Sequence, residues 1–271
     1  MMKKALIGLS NNILTNINKI KVWSKSFKQY SDGDIILLCA NTNKLEMDLC
    51  KSLGIITVPV LVNDINYINH KRLLITKEVL ETYKYDVCII TDVFDVVFQS
   101  DPFKKLDFEN FDIFVSGEGV NVNQEPWNSD NINKLFPQHF NACVNTEIIN
   151  SGVIAGKRLS LIKLLDMMYN LCQESNNNHN IKDQAALIVL VSLNLIPNLK
   201  IFNLDDGWAM HCAVAGPTQF FDAWGFRNNL KYGIPQLINK TICTKTGDVF
   251  DIVHQFNRID KWNEILTNEY I

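Results

Sequence analysis

Apolar positions along this chain fall in short blocks that alternate between two periods. Ala5 to Leu9, Ile35 to Cys39, Ile55 to Val62 and Val87 to Ile90 are near-continuous apolar runs. They are rich in branched side chains and bounded by polar turns such as Ser10-Asn11-Asn12 and Ser31-Asp-Gly-Asp34, the pattern of buried strands. Between them, residues 14–30, 45–53 and 71–83 carry apolar residues at helical spacing, with Ile17, Ile20, Trp23 and Phe27 on one face of the first. Gly54 stops the second helix, and Pro59 marks the third strand for a sheet edge, since proline cannot donate to a ladder. The order β-α-β-α-β-α-β over the first hundred residues predicts a parallel sheet with crossover helices.

The second half is less regular. Phe111 to Ser116, Ile148 to Gly156, Leu199 to Leu204 and Val249 to Val253 are expected as strands, the second interrupted by Gly152 where a backbone or ligand comes close. Residues 159–172, 182–195 and 259–266 are expected as helices, with a polar linker over 174–180. Residues 121–143 are polar, contain two prolines and Trp127, and read as a long functional loop with a short helix. With no internal repeat and no interdomain linker, the expected architecture is one α/β domain over 1–271.

Composition narrows the function classes. A hydrophobic content of 47% with 20% charged residues is that of a folded soluble chain, and a net charge of −3 argues against a general nucleic-acid binder. No apolar run reaches membrane-spanning length, and the N-terminal one is shorter than a signal-peptide core. Seven dispersed cysteines without a C-x-x-C pair argue against structural zinc and a disulfide framework, so a cytoplasmic location is expected.

The chemistry concentrates after the fourth strand, in Thr91-Asp92-Val93-Phe94-Asp95. Residues three apart point to opposite faces of a continuing strand, so Asp92 and Asp95 can act together only if the chain bends between them. The ligand-binding edge of an α/β sheet is the carboxyl end of its strands. That edge collects Ser10, Asn11, Asp92, Asp95, Glu118, Asn150, Asp205 and His254. Two aspartates and a histidine form a mixed oxygen and nitrogen set suited to Mn²⁺ and tolerable for Mg²⁺. No P-loop, dinucleotide-binding glycine motif or nucleophile elbow occurs. A bound diphosphate would therefore need other cations, and Arg258 and Lys261 follow His254 closely.

These residues, in this order, carry a resemblance. Asp92-Val-Phe-Asp95, then Phe114 to Glu118 with Trp127 following, Asn150-Ser-Gly152, Asp183-Gln184, Leu204-Asp205 and Val253-His254 together resemble the GT-A class of nucleotide-sugar glycosyltransferases. The D-x-aromatic-D form with a late histidine is similar to the glycosyltransferase domain of procollagen lysyl hydroxylase/glucosyltransferases and to collagen galactosyltransferases. The string from Thr91 to Phe103 also resembles a microbial group of nucleotide-diphospho-sugar transferases. The resemblance implies a GT-A, Rossmann-like fold with a mixed, mostly parallel sheet flanked by helices. Residues 1–110 would form the nucleotide-binding half and 111–271 the acceptor and metal-completing half.

It further implies a hexosyltransferase using a nucleotide diphosphate sugar, with UDP the implied carrier, and a glycan or protein hydroxyl as acceptor. Asp92, Asp95 and His254 would hold Mn²⁺ or Mg²⁺. Ser10, Asn11, Arg72, Asp92, Phe94, Gln184, Arg258 and Lys261 would contact the nucleotide sugar, with Phe94 against the base. Asp183, Glu118 and Asn150 would sit at the reacting sugar, and Asp183 or Glu118 is the candidate base if the reaction inverts. Trp127 could cover the donor. Collagen-modifying relatives often show a His-Gly-Asn tail where this chain has His254-Gln-Phe-Asn257, so a collagen acceptor is not implied. The Lys261-Trp262 tail is closer to bacterial sugar transferases. A sugar-nucleotide pyrophosphorylase and a non-catalytic glycan-binding relative remain the alternatives.

Overall fold

Strand and helix alternate over the first hundred residues as the apolar blocks predict. A computed structural model describes residues 2–62, 68–175, 182–216 and 229–271. It gives β1 (Lys4–Ser10), α1 (Ile13–Tyr30), β2 (Asp34–Ala40), α2 (Lys44–Ser52), β3 (Ile56–Val60), α3 (Ile68–Thr82) and β4 (Val87–Thr91). β1 pairs in parallel with β2 and β4, and β2 with β3, which lies at the edge as Pro59 requires. Gly54 takes a positive φ of 75° just past α2, a conformation that costs glycine little.

Beyond β4 come β5 (Val96–Phe98), β6 (Ile113–Asn121), α4 (Pro126–Leu135), α5 (Phe140–Cys143), β7 (Glu147–Ile149) and β8 (Val153–Lys157). They are followed by α6 (Arg158–Glu174), α7 (Asp183–Ser192), β9 (Leu199–Phe202), β10 (Ala209–His211) and α8 (Cys212–Ala215). The chain closes with β11 (Gln236–Ile238), β12 (Thr241–Cys243), β13 (Ile252–His254) and α9 (Asp260–Asn268). The main sheet runs β3-β2-β1-β4-β8-β6-β7, with β9 also paired to β6. β8 is antiparallel to both β4 and β6, so β6 runs with β4 and both present their carboxyl ends to one edge. A small second sheet, β10-β13-β5, is laid beside that edge.

Alternation along β1 divides the core. Ala5 and Ile7 join the cluster covered by α3, α6 and α7, while Leu6 faces Trp23 and Phe27 of α1. Residues Ala185 to Val191 are all buried, so α7 is enclosed rather than amphipathic.

Four sequence expectations are corrected here. The run from Ile148 to Gly156 is two strands, because the Asn150 side chain accepts from the Gly152 N–H at 2.7 Å and turns the chain between β7 and β8. The strand expected to stop at Ser116 continues through a bulge to Asn121, with Gly119 at φ 78°, so Glu118 is a buried strand residue rather than a turn. Residues 126–135 form a regular helix, capped by the Glu125 carboxylate, which accepts from the Trp127 and Asn128 N–H groups. His254 ends β13 instead of following it. Most of the expected polar linker over 174–180 lies outside the described residues.

Candidate active site

The bend that the Asp92-x-x-Asp95 spacing requires is present. β4 stops at Thr91, whose hydroxyl accepts from the buried Trp23 indole N–H at 2.8 Å, and the chain turns before β5 begins at Val96. The Asp92 N–H donates to the Gly152 carbonyl at 2.9 Å, tying the turn to the start of β8. β13 pairs with β5 in the register His254 to Val96, which brings a histidine from the far end of the chain beside the acidic turn. The Gln255 N–H donates to the Asp95 carbonyl at 2.6 Å and locks that register.

The result is a convergence of three side chains. One ligand-type atom each from Asp92, Asp95 and His254 lies within 4.8 Å of the others. An ion with bonds of about 2.1 Å holds neighbouring donors about 3 Å apart, so this set needs only small side-chain adjustment to close on a cation. His254 Nε2 is buried, 3.2 Å from Asp92 Oδ2 and 3.7 Å from Asp95 Oδ1, close enough to pair with Asp92 but poorly aligned for a hydrogen bond to either carboxylate. A buried imidazole nitrogen aimed between two carboxylates gives one nitrogen and two oxygen donors converging on a common point. The residues present therefore fit a divalent cation with oxygen and nitrogen preferences.

Charge is arranged around this set. Arg72, on α3, forms ion pairs with both Asp92 and Asp183, the second at 2.6 Å. Burial would raise the Asp92 carboxyl, but Arg72 and His254 outweigh it and hold it well below the usual carboxylate range. Among the described residues no arginine forms an ion pair with Asp95, and Arg258 acts on it only at longer range. Burial keeps its carboxyl raised, against the opposing pull of His254. For His254, burial would favour the neutral ring, but Asp95 and Asp92 outweigh it and raise its proton affinity. A cation must displace that proton, so binding is expected to weaken as pH falls.

Gly152 explains how close the parts are. A Cβ there would lie 2.7 Å from His254 Nε2 and 2.8 Å from Nδ1, inside van der Waals contact. Gly152→Ala is expected to push the imidazole out of the cluster, weakening Mn²⁺ binding at least about tenfold and costing roughly 1–3 kcal/mol of stability. Mn²⁺ titration followed by spin resonance reads the first effect and urea unfolding the second. An alanine variant that binds Mn²⁺ like wild type would show that the ring is not a ligand.

The other expected site residues differ in how closely the fold ties them to this cluster. Asn150 and Glu118 are paired, the Asn150 amide donating to Glu118 Oε1 at 2.6 Å, and Glu118 is near enough for His254 to act on its charge. Asp183 is buried, with one oxygen on Arg72 and the other accepting from the Gln184 N–H. Gln184 donates to Asn128 Oδ1 at 2.8 Å and so joins α7 to α4, at whose start Trp127 is 44% exposed. Thus Arg72, Asp92, Asp183, Gln184 and Asn128 form one continuous polar network. Ser10 ends β1 and Asn11 follows it; β1 pairs with β4 at Gly8 to Thr91, which places both residues on the same sheet edge. Phe94 is half-buried, with the Lys19 ammonium 5.8 Å from its ring centre. Arg258 is exposed in the turn after His254, and its charge favours the ionised forms of Asp95 and Glu118. Lys261 is exposed on α9, and no described contact ties it to the cluster.

Glu118 has the most distinctive environment. Its carboxyl is pushed up to about 7, first by burial and then by Glu125, with the Asn150 bond acting in the opposite direction. Between the ordinary value of 4.5 and about 7, the folded state keeps a proton that the unfolded chain has lost. That stabilisation is complete below 4.5, declines as pH rises through about 7, and is absent above. Glu118→Gln is neutral throughout and still accepts from Asn150. It is expected to be more stable than wild type at pH 8 by roughly 2–3 kcal/mol and equal to it near pH 4.5. Thermal unfolding of both proteins across that range, without added metal, checks this. Parallel curves would refute it.

One buried residue of the site is absent from the sequence expectations. His211, the last residue of β10, pairs in register with His254 and lies with its Nδ1 2.9 Å from His254 Nδ1. The two rings meet edge to face at 87°. Burial, and then the charge of His254, pushes His211 well below the usual imidazole range, so it is neutral. The signal was present: Trp208-Ala-Met-His211 repeats the apolar-run-then-histidine form of Ile252-Val-His254.

No protein-family model matches this chain, and no curated protein matches it. Solved structures do. The galactosyltransferase LgtC in complex with donor and acceptor sugar analogs superposes with a TM-score of 0.56 at 11% identity, covering 97% of this chain and 95% of that one. An active-site glutamine-to-glutamate mutant of LgtC gives a TM-score of 0.58 at 11% identity with the same coverage. At this identity the likeness establishes the fold, and it is the GT-A, Rossmann-like fold that the sequence resemblance implies.

Proposed function

We propose that this chain is a metal-dependent glycosyltransferase that moves a hexose from a nucleotide diphosphate sugar, with UDP as carrier, to a hydroxyl of a glycan or protein. The observation that carries the reading is the meeting of Asp92, Asp95 and His254 at the carboxyl edge of a GT-A sheet. The solved neighbour's bound donor and acceptor sugar analogs support a sugar donor and a glycan acceptor for this chain too.

In this reading Asp92, Asp95 and His254 hold Mn²⁺ or Mg²⁺. When bound, the ion supplies Lewis-acid neutralisation of the diphosphate leaving group. The chain's own residues do the rest. Arg72 keeps Asp92 ionised and fixes Asp183, so both carboxylates are oriented before substrate arrives. Phe94 offers a ring face to the base, while Ser10 and Asn11 supply hydrogen-bonding groups for the nucleoside at the end of β1. Gln184, held by Asn128, faces the sugar, and Trp127 covers it. Arg258 and Lys261 add positive charge for the diphosphate. Residues 1–110 then serve the nucleotide, and 111–271 complete the metal set and the acceptor side. Asp183 and Glu118 are both buried with hydrogen-bonded oxygens, which favours positioning roles over a base open to acceptor. The seven buried, unpaired cysteines are consistent with a reducing, cytoplasmic setting. Among the described residues, no helix is long and apolar enough to cross a membrane.

The test is turnover of a panel of UDP-hexoses with Mn²⁺, followed by UDP release with and without simple sugar acceptors. Release from at least one donor, abolished by chelation and enhanced by an acceptor, is expected. No release from any nucleotide sugar would sink the reading.

A further inference from the structure

We propose that His211 is the positioning residue of the metal site, accepting the Nδ1–H of His254 and thereby turning the His254 Nε2 lone pair toward Asp92 and Asp95. The inference rests on the metal reading above and concerns a residue that reading does not use.

The hydrogen-bond account leaves little freedom. Nδ1 of His254 and Nδ1 of His211 are 2.9 Å apart, so one must carry the proton and the other must accept it. If His211 donates, a neutral His254 carries its own proton on Nε2, facing Asp92, and has no lone pair there for a cation. If His254 donates, its Nε2 is a free donor atom between the two carboxylates, and His211 carries its proton on Nε2. Only the second arrangement permits coordination by His254. Metal-binding histidines characteristically donate their other ring N–H to such an outer partner, which fixes ring orientation and raises ligand basicity.

The surroundings permit His211 to take this part. Among the described residues its Nε2 has no hydrogen-bond partner, so nothing there commits the ring to the opposite tautomer; the tautomer proposed carries the cost of one buried N–H, which the cation's bond to His254 must offset. Both histidines are buried, at 0% and 1% exposure, so water cannot replace the bond between them. The strand register and the Gln255 side chain, which accepts from the Ala213 N–H at 3.0 Å, hold β10 and β13 together around the pair.

Two substitutions and one spectrum decide the matter. His211→Leu fills the space but cannot accept, and is expected to weaken Mn²⁺ binding about 10–100-fold in a spin-resonance titration of free Mn²⁺. His211→Asn keeps an oxygen near the Nδ1 position and is expected to stay within about threefold of wild type. In the wild-type protein loaded with diamagnetic Mg²⁺, long-range ¹H–¹⁵N correlations should show His254 protonated at Nδ1 and His211 at Nε2. Wild-type Mn²⁺ affinity in a folded His211→Leu, or His254 protonated at Nε2 in the loaded protein, would overturn the assignment. If the leucine variant does not fold, the asparagine variant and the spectrum still decide. If wild type binds no Mn²⁺ at all, the metal reading itself fails, a result distinct from either of these.

Discussion

Asp95→Ala is expected to lower Mn²⁺ affinity at least about 100-fold while leaving the protein as stable as wild type or slightly more stable. The two halves of that expectation have one cause. Among the described residues Asp95 is desolvated without an arginine ion pair, and its carboxyl is raised by that burial, so the fold gains little from its charge. The side chain makes no hydrogen bond among the described residues, and its nearest opposite charge is His254 at 3.7 Å. A carboxylate held in a costly environment with only the distant His254 pair contributes little to the fold, and under the proposed function its use is to hold the cation. Metal titration combined with urea unfolding separates the two effects. A variant that unfolds early but binds Mn²⁺ normally would make Asp95 a structural residue.

Arg72→Met is expected to behave in the opposite way. Asp92 and Asp183 share this one guanidinium, and removing it strips Asp183 of its ion pair and leaves Asp92 with His254 alone. The expected loss is about 3 kcal/mol, in the range found when one member of a buried ion pair is deleted. Added Mn²⁺ should recover part of it, because a cation beside Asp92 replaces the missing positive charge and binds only the folded state. Arg72→Lys restores charge but not the planar fork that reaches two carboxylates, so it should fall between the two. Unfolding curves with and without Mn²⁺ read all of this, and equal stability of the methionine variant and wild type would contradict it.

The parts of this site that were legible in the sequence are those where local pattern and global fold agree. Val87 to Thr91 reads as a strand because it is apolar, branched and bounded by polar residues, and the Asp92-x-x-Asp95 spacing then forces the bend that is observed. Arg72, Asp183 and Asn150 were picked out by family order, and the fold brings them to Asp92 through direct or relayed hydrogen bonds. Helix α4 was legible only as an unplaced short helix within a polar loop, because its composition is polar: Asn128 and Asn131 are buried, Ile132 and Leu135 are the apolar residues it buries, and its start depends on a glutamate cap. Strands β5 and β10 have three residues each, too few to show a period, and they exist because they pair with β13, the one of the three that its apolar run announced. His211 was hidden for that reason. Its importance lies in the register of two such short strands, 43 residues apart.

The central claim is that a cation held by Asp92, Asp95 and His254 receives the diphosphate of a nucleotide sugar. Calorimetric titration of UDP into the wild-type protein, with Mn²⁺ and again with chelator, tests it most directly. The account predicts saturable binding with Mn²⁺ that weakens at least about tenfold when the metal is removed, and by as much in Asp95→Ala with the metal present. UDP binding of equal strength in all three conditions would contradict it.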